Sequence, residues 1–217
     1  MPSRVPARLS VIATVIIAIG ALFPPSPAWA SSEPPFDLVF PQETAKTHFS
    51  STFGAQRSGG RRHNGNDLMA PRMTEVYAVA DGTIIQVSRS RLSGRYIRIQ
   101  HVDGWTSHYV HLNNDSPGTD DGSAEWDFTV APGIEVGREV VAGQLIGWVG
   151  DSGNAEWSGT HTHFELRHNG SPINPYRLLR EAFERDRASE ELLARAIAEG
   201  LTRSGSESPA YESEGID

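Results

Sequence analysis

Three of the five Asx-Gly pairs of this 217-residue chain, Asp81-Gly82, Asp103-Gly104 and Asn169-Gly170, stand beside short runs of β-branched and aromatic residues. Asx followed by Gly is the pair that best tolerates positive φ at both corners of a two-residue hairpin. The runs between the pairs are too short for helices and alternate in the manner of strands: Glu75 to Ala80, Thr83 to Val87, Arg95 to His101, Trp105 to Leu112, Val140 to Val149 in two pieces around Gly143, and His161 to Arg167. Six or seven short strands with turns this frequent predict a mainly β domain, an antiparallel sandwich or barrel. Asp81-Gly82 is expected to join its two neighbours as a hairpin.

Outside this block the pattern changes. Arg4 and Arg8 precede an uncharged apolar run from Leu9 to Phe23, and Ala28-Trp29-Ala30 offers small residues for cleavage, so residues 1–30 read as a removed signal peptide. The run is shorter than the roughly 20 residues a membrane span needs. Residues 31–47 are proline-rich and extended, with Phe36, Leu38 and Phe40 alternating as a short edge strand. The β domain occupies 48–175. Asn174 can cap and Pro175 can start a helix whose apolar face is Leu178, Leu179, Ala182 and Phe183. A second helical stretch from Ser189, with Leu192, Leu193, Ala196 and Ile197, is expected to end at Gly200, and residues 201–217 read as a disordered acidic tail.

Composition excludes several classes. The formal charge is −8, and removing the leader removes two arginines and no acid, making it −10, which argues against nucleic-acid binding. No cysteine occurs, so neither a disulfide, a thiolate metal site nor a lipid-linked cysteine is available. The hairpins around Gly82 and Gly143 look like halves of a lipoyl or biotin carrier, but that role needs a lysine on a hairpin tip. The single lysine, Lys46, precedes both. The acids of the Asn113 to Asp127 insertion, Asp115, Asp120 and Asp121, match no EF-hand spacing and read as a solvated loop that walls the site next to His111.

Candidate chemistry lies in the histidines. His161 and His163 are two apart on a strand and share a face, roughly 7 Å apart along the chain. That separation suits one imidazole on a metal and the other beside the metal's open position. His63 and Asp67 sit four apart in a glycine-rich loop, where both can converge on one point. Strict alternation along Trp105 to Leu112 places Ser107, Tyr109 and His111 on one face and His108 on the other. Two histidines and one aspartate meet the three-ligand count of a catalytic zinc. His48, His101, His108 and His168 read as surface or packing residues.

In order along the chain stand Phe53-Gly54-Ala55, Arg62-His63-Asn64-Gly65-Asn66-Asp67, Asp81-Gly82-Thr83, Tyr109-Val110-His111-Leu112, Gly143-Gln144-Leu145-Ile146-Gly147, Gly159-Thr160-His161-Thr162-His163-Phe164-Glu165, Asn169-Gly170 and Asn174-Pro175. With these blocks the chain resembles the lysostaphin/LytM-type zinc metalloendopeptidases that cut peptidoglycan peptides, from about Phe40 to Pro175. The resemblance implies a duplicated-hybrid-motif-like β fold and one zinc ion held by His63, Asp67 and His163. It further implies His161 as general base and His111 as a partner that orients water or steadies the oxyanion. A tyrosine that some relatives carry before the first ligand is missing, which leaves that role empty or filled otherwise, with Arg61 or Arg62 as candidates. Residues Ala155 to Ser158 lengthen the loop before His161 and set Trp157 near the site. The implied protein is a secreted, extracytoplasmic monomer acting on peptidoglycan peptides, without stable membrane association after signal cleavage. The alternative is a catalytically silent activator of another wall hydrolase on the same fold, a kind of member that typically lacks one or more ligands.

Overall fold

In a computed structural model, residues 33–206 are described; the expected leader and all but the first six residues of the expected tail lie outside them. Nine strands form: β1 Asn66–Met69, β2 Glu75–Tyr77, β3 Gly82–Ser90, β4 Gly94–Gln100, β5 Trp105–Leu112, β6 Glu139–Val140, β7 Leu145–Trp148, β8 His161–His168 and β9 Ser171–Ile173. Among the described residues one α-helix, α1 Tyr176–Ser206, follows, with short 3-10 turns before and between the strands. The large sheet has the order β1-β8-β5-β4-β3-β6, with β9 extending the β1 edge of β8, and every pairing is antiparallel. A separate pair, β2-β7, is the second sheet.

Two of the three Asx-Gly pairs turn as expected. Asp103 and Gly104 take φ 51° and 76°, and Asn169 and Gly170 take 48° and 80°, the double positive φ of a type I′ hairpin. Asp81-Gly82 does not: neither residue has positive φ, and β2 leaves the pair to join β7 while β3 joins β4 and β6. The Asp81 carboxylate accepts the Ala142 N–H at 2.8 Å, which makes the pair a corner between sheets rather than a hairpin.

The core lies between one face of the large sheet, the β2-β7 pair and α1. Ile84, Ile97, Ile99, Tyr109, Phe164 and Leu166 come from the sheet, Val76 and Ile146 from the pair, and Leu179 and Ala182 from the helix. Residues 36–42 run extended beside β2, with Val39 N–H donating to Val79 and Tyr77 N–H to Pro41. Only an isolated bridge at Gln42 forms there, because prolines at 34, 35 and 41 remove donors from the expected strand. Leu38 and Phe40 are nonetheless buried as the alternation requires.

Asn174 caps α1 by accepting the Tyr176 N–H at 3.1 Å. The helix then runs without a break past Ser189 and through Gly200 to Ser206, correcting the expected stop. Gly200 lacks the positive φ of a helix-ending glycine, and the Ala, Glu, Leu and Arg residues around it favour continuation. Beyond Ser189 its apolar residues Leu192, Leu193 and Ile197 are exposed. Among the described residues no helix is long and apolar enough to cross a membrane.

The Asn113–Asp127 insertion turns away from the groove described below. Arg72 reaches Asp115, Asp120 and Asp151 at 3.1, 2.8 and 2.7 Å, and Asp121 accepts the backbone N–H groups of Ser116 and Ser123.

Candidate metal and active site

Register brings the distant donors together. Asp67 on β1 pairs with His163 on β8, and His163 pairs with Val110 on β5, so the three face one side of the sheet. His63 precedes β1 in a loop held by His63 N–H to Ala55 and Gly54 N–H to His63. The loop approaches β8 closely at Gly65, where a Cβ would lie 2.0 Å from the Phe164 carbonyl oxygen. Only glycine fits between the two donor residues of the loop.

The result is a small triangle of donor atoms. His63 Nε2 is 2.8 Å from His163 Nδ1 and 3.0 Å from Asp67 Oδ1, and His163 Nδ1 is 3.0 Å from the same oxygen. The other nitrogen of each ring is committed. His63 Nδ1 lies 2.9 Å from the Thr52 carbonyl, which can only accept, and His163 Nε2 lies 3.1 Å from the Glu165 carboxylate. In the neutral rings both protons are therefore spent outward, and two nitrogen lone pairs and a carboxylate oxygen converge with no proton between them. Such a cluster needs a cation. Ligands at about 2.0–2.1 Å in tetrahedral geometry stand roughly 3.3 Å apart, close to the spacing found.

Without a cation, a proton shared among these donors takes its place: burial pushes the Asp67 carboxyl up, but His163 and His63, as proton donors to it, outweigh burial and hold it well below the usual range. Burial alone would lower His163; Asp67 and Glu165 raise it. Glu165 is likewise pushed up by burial and held down more strongly by His108, His163 and Arg167.

His161 and His111 flank the triangle. His161 Nδ1 meets the Gly159 carbonyl at 2.7 Å, which turns Nε2 toward Asp67 Oδ1, 3.8 Å away. His111 Nδ1 meets the Ser152 carbonyl at 2.8 Å, and its ring lies 5.1 Å from that of His161. Strict alternation fails here. His111 has φ 64°, a left-handed conformation costing about 1–2 kcal/mol, and its N–H leaves the ladder for Ser93. That bulge removes His111 from the core face of Ser107 and Tyr109 and turns it into the site. Burial, and then the charge of His161, pushes its pKa down to about 3, so its ring is neutral at pH 7.

These residues lie in a groove of about 640 Å³. Its walls come from Leu92 and Ser93 before β4, from Asn154 to Gly159, and from the His63 loop; the 113–127 insertion contributes nothing, correcting the expected wall. Nor does any residue of 33–56 line it. Trp157 projects into solvent, 98 % exposed, while its neighbours Ala155 and Ser158 line the wall. Arg61 and Arg62 bind the carbonyls of Ser58 and Gly54; Arg57 is the guanidinium at the donors, 2.5 Å from Asp67 Oδ2. His108, read as a bystander, faces the groove and meets Glu165 Oε2 at 3.3 Å, so it supports the carboxylate behind His163. The cross-strand pairing His108 to Glu165 was the signal for it. His101 is a packing residue between Asp81 and Ser107, and His168 stacks on Trp105.

The antiparallel β domain thus presents a two-histidine, one-aspartate donor set that could hold a metal ion in an open groove. The chain belongs to peptidase family M23, whose sequence profile matches residues 61–122 and 127–175, half of its length. It is 35% identical over 133 residues to the DD-carboxypeptidase/endopeptidase Mpg of Neisseria meningitidis, covering 59% of this chain and 26% of that protein. It is 33% identical over 129 residues to the murein hydrolase activator NlpD of Escherichia coli, covering 59% and 28%. Among solved structures, a zinc-containing peptidase from Vibrio cholerae superposes with a TM-score of 0.51 at 26% identity, over 64% of this chain and 39% of that one. The chain thus spans only about a quarter of the length of these curated relatives.

Proposed function

We propose that the protein is an extracytoplasmic zinc-dependent endopeptidase that hydrolyses peptide cross-links or stem peptides of bacterial peptidoglycan. One observation carries this reading: the three inward donor atoms, whose outward nitrogens are already committed, converge beside two further imidazoles in an open groove. His63 Nε2, Asp67 Oδ1 and His163 Nδ1 would hold the ion. Bound there, zinc supplies Lewis acidity to the scissile carbonyl and lowers the pKa of water.

The remaining roles belong to the chain's own atoms. With its Nδ1 proton given to Gly159, His161 presents Nε2 to the site, where its lone pair can take a proton from water and return it to the leaving amine. His111, its Nδ1 proton given to Ser152 and its ring neutral, has only an acceptor at Nε2. That supports orienting the attacking water over donating to an oxyanion. Glu165 holds the His163 ring in its ligating tautomer, steadied in turn by His108 and Arg167. The donor set is complete, so nothing favours the silent-activator alternative.

The test is incubation of the purified protein with peptidoglycan sacculi, with chelator, with restored zinc, and as His161→Ala. Fragments are read by mass spectrometry. Chelator-sensitive peptide cleavage that falls about 10²–10⁴-fold in the variant, with zinc content retained, is expected. Intact sacculi with zinc demonstrably bound would refute the enzymatic reading.

A further inference from the structure

The groove does not end at the histidines. A second depression of about 450 Å³ opens along the same sheet face, and Arg98 and His108 line both. Cross-strand register explains the continuity: Arg98 on β4 pairs with His108 on β5, which pairs with Glu165 on β8. Arg98 therefore stands two strands across and one pleat along from His163, roughly 12 Å between Cα atoms by strand spacing and rise. The reach of an arginine brings its guanidinium within two or three residues of an extended peptide whose scissile bond lies at the donor triangle.

The groove's other guanidinia are engaged. Arg57 is on Asp67, Arg61 and Arg62 are on backbone carbonyls, and Arg167 is on Glu165 at 2.7 Å. Arg98 has no carboxylate partner among the described residues. Its guanidinium lies over the Tyr96 ring, 5.1 Å from the centroid, and its Nε is buried without a hydrogen bond. No Asp or Glu lines the second depression, whose polar groups beside Arg98 are Gln100, Thr106, His108, Arg167 and Asn169. A fixed, planar cation over an aromatic ring, in a depression without acids, suits a carboxylate, which it can meet with two parallel N–H donors.

We infer that Arg98 is a specificity residue that receives a free carboxylate of the substrate peptide, one to three residues from the scissile bond. This rests on the peptidase reading above, and the two are separable by experiment. Binding is measured on the full, zinc-loaded chain carrying His161→Ala, so that no turnover intervenes, using a diacetyl-lysyl-D-alanyl-D-alanine peptide as free acid and as C-terminal amide. The acid is expected to bind at least about 10-fold more tightly, the order of a charge-assisted hydrogen-bonded pair. Adding Arg98→Gln should bring the ratio to within about 2-fold, and Arg98→Lys should leave an intermediate value, because charge persists and the fork is lost. Zinc affinity of each variant serves as the folding control. Equal binding of acid and amide, no saturable binding of either, or a preference that survives Arg98→Gln would overturn the inference. Discrimination by Arg98 in a protein that leaves sacculi intact would uphold the subsite and sink the peptidase reading; cleavage without discrimination would do the reverse.

Discussion

Gly65→Ala isolates the link between backbone approach and metal binding. A Cβ at this position would stand 2.0 Å from the Phe164 carbonyl oxygen and 3.2 Å from Glu165 Cγ, and the nearer atom is backbone, which cannot swing aside. Restoring an ordinary contact of 3.4 Å requires the loop and β8 to part by about 1.4 Å. The three donor atoms span edges of only 2.8–3.0 Å, and metal–ligand distances tolerate about 0.2 Å. Gly65 lies midway between His63 and Asp67, so this displacement falls on both loop ligands. Zinc affinity should drop more than 100-fold in competition with a chromophoric chelator. The metal-free protein should lose about 1–3 kcal/mol from overpacking, a fall of several degrees in Tm for a domain of this size. Zinc affinity within threefold of the parent, with an unchanged metal-free Tm, would show that the close approach does not position the ligands.

Three further outcomes are expected. Glu165→Gln keeps an acceptor for His163 Nε2 but removes the charge, and should weaken zinc binding about 10–100-fold without changing the fold, read by metal titration and circular dichroism. Leu179→Ala, at a fully buried position joining α1 to the core, should cost about 2–5 kcal/mol in denaturant unfolding while zinc affinity holds. In the metal-free protein the His111 pKa falls from 6.5 unfolded to about 3 folded, so the unfolded state takes up a proton the native state refuses. Its contribution therefore weakens stability as pH drops from about 6.5 toward 3. His111→Asn should flatten the stability–pH curve there by up to about 1.4 kcal/mol per pH unit; an unaltered slope would remove His111 as its source.

What the sequence revealed follows from how far each signal reaches. The convergence of His63, Asp67 and His163 was legible only in part: the spacing of the first two is local, alternation put His161 and His163 alike on one face, and the family resemblance singled out His163. Asp103-Gly104 and Asn169-Gly170 were legible because a type I′ turn is a two-residue affair. Asp81-Gly82 has the same letters, but β2 spends its hydrogen bonds on β7, a choice made by residues nearly 70 positions away. The face of His111 depended on a single positive φ in a residue that rarely adopts one, and no periodicity reports that. His108 and Arg57 were invisible for a third reason: each acts through a partner, Glu165 or Asp67, that only the folded register brings within reach.

The clasp between residues 36–44 and α1 has a topological consequence. Phe40 N–H donates to Asp186, the Thr44 hydroxyl to Glu190, and the Arg185 guanidinium to the Leu38 carbonyl. Residues separated by 146 positions thus meet, and nearly all of the β domain is strung between them as one closed ring. Folding must close that ring at the cost of a very long loop, which grows only logarithmically with length but delays the step. Since residues 38–44 and 185–190 are neighbours and none lines the groove, a short covalent bridge between them would join the ring on the side away from the substrate. New ends could then be opened at an exposed turn outside the groove such as Glu135-Val136, so the domain is a natural scaffold for circular permutation.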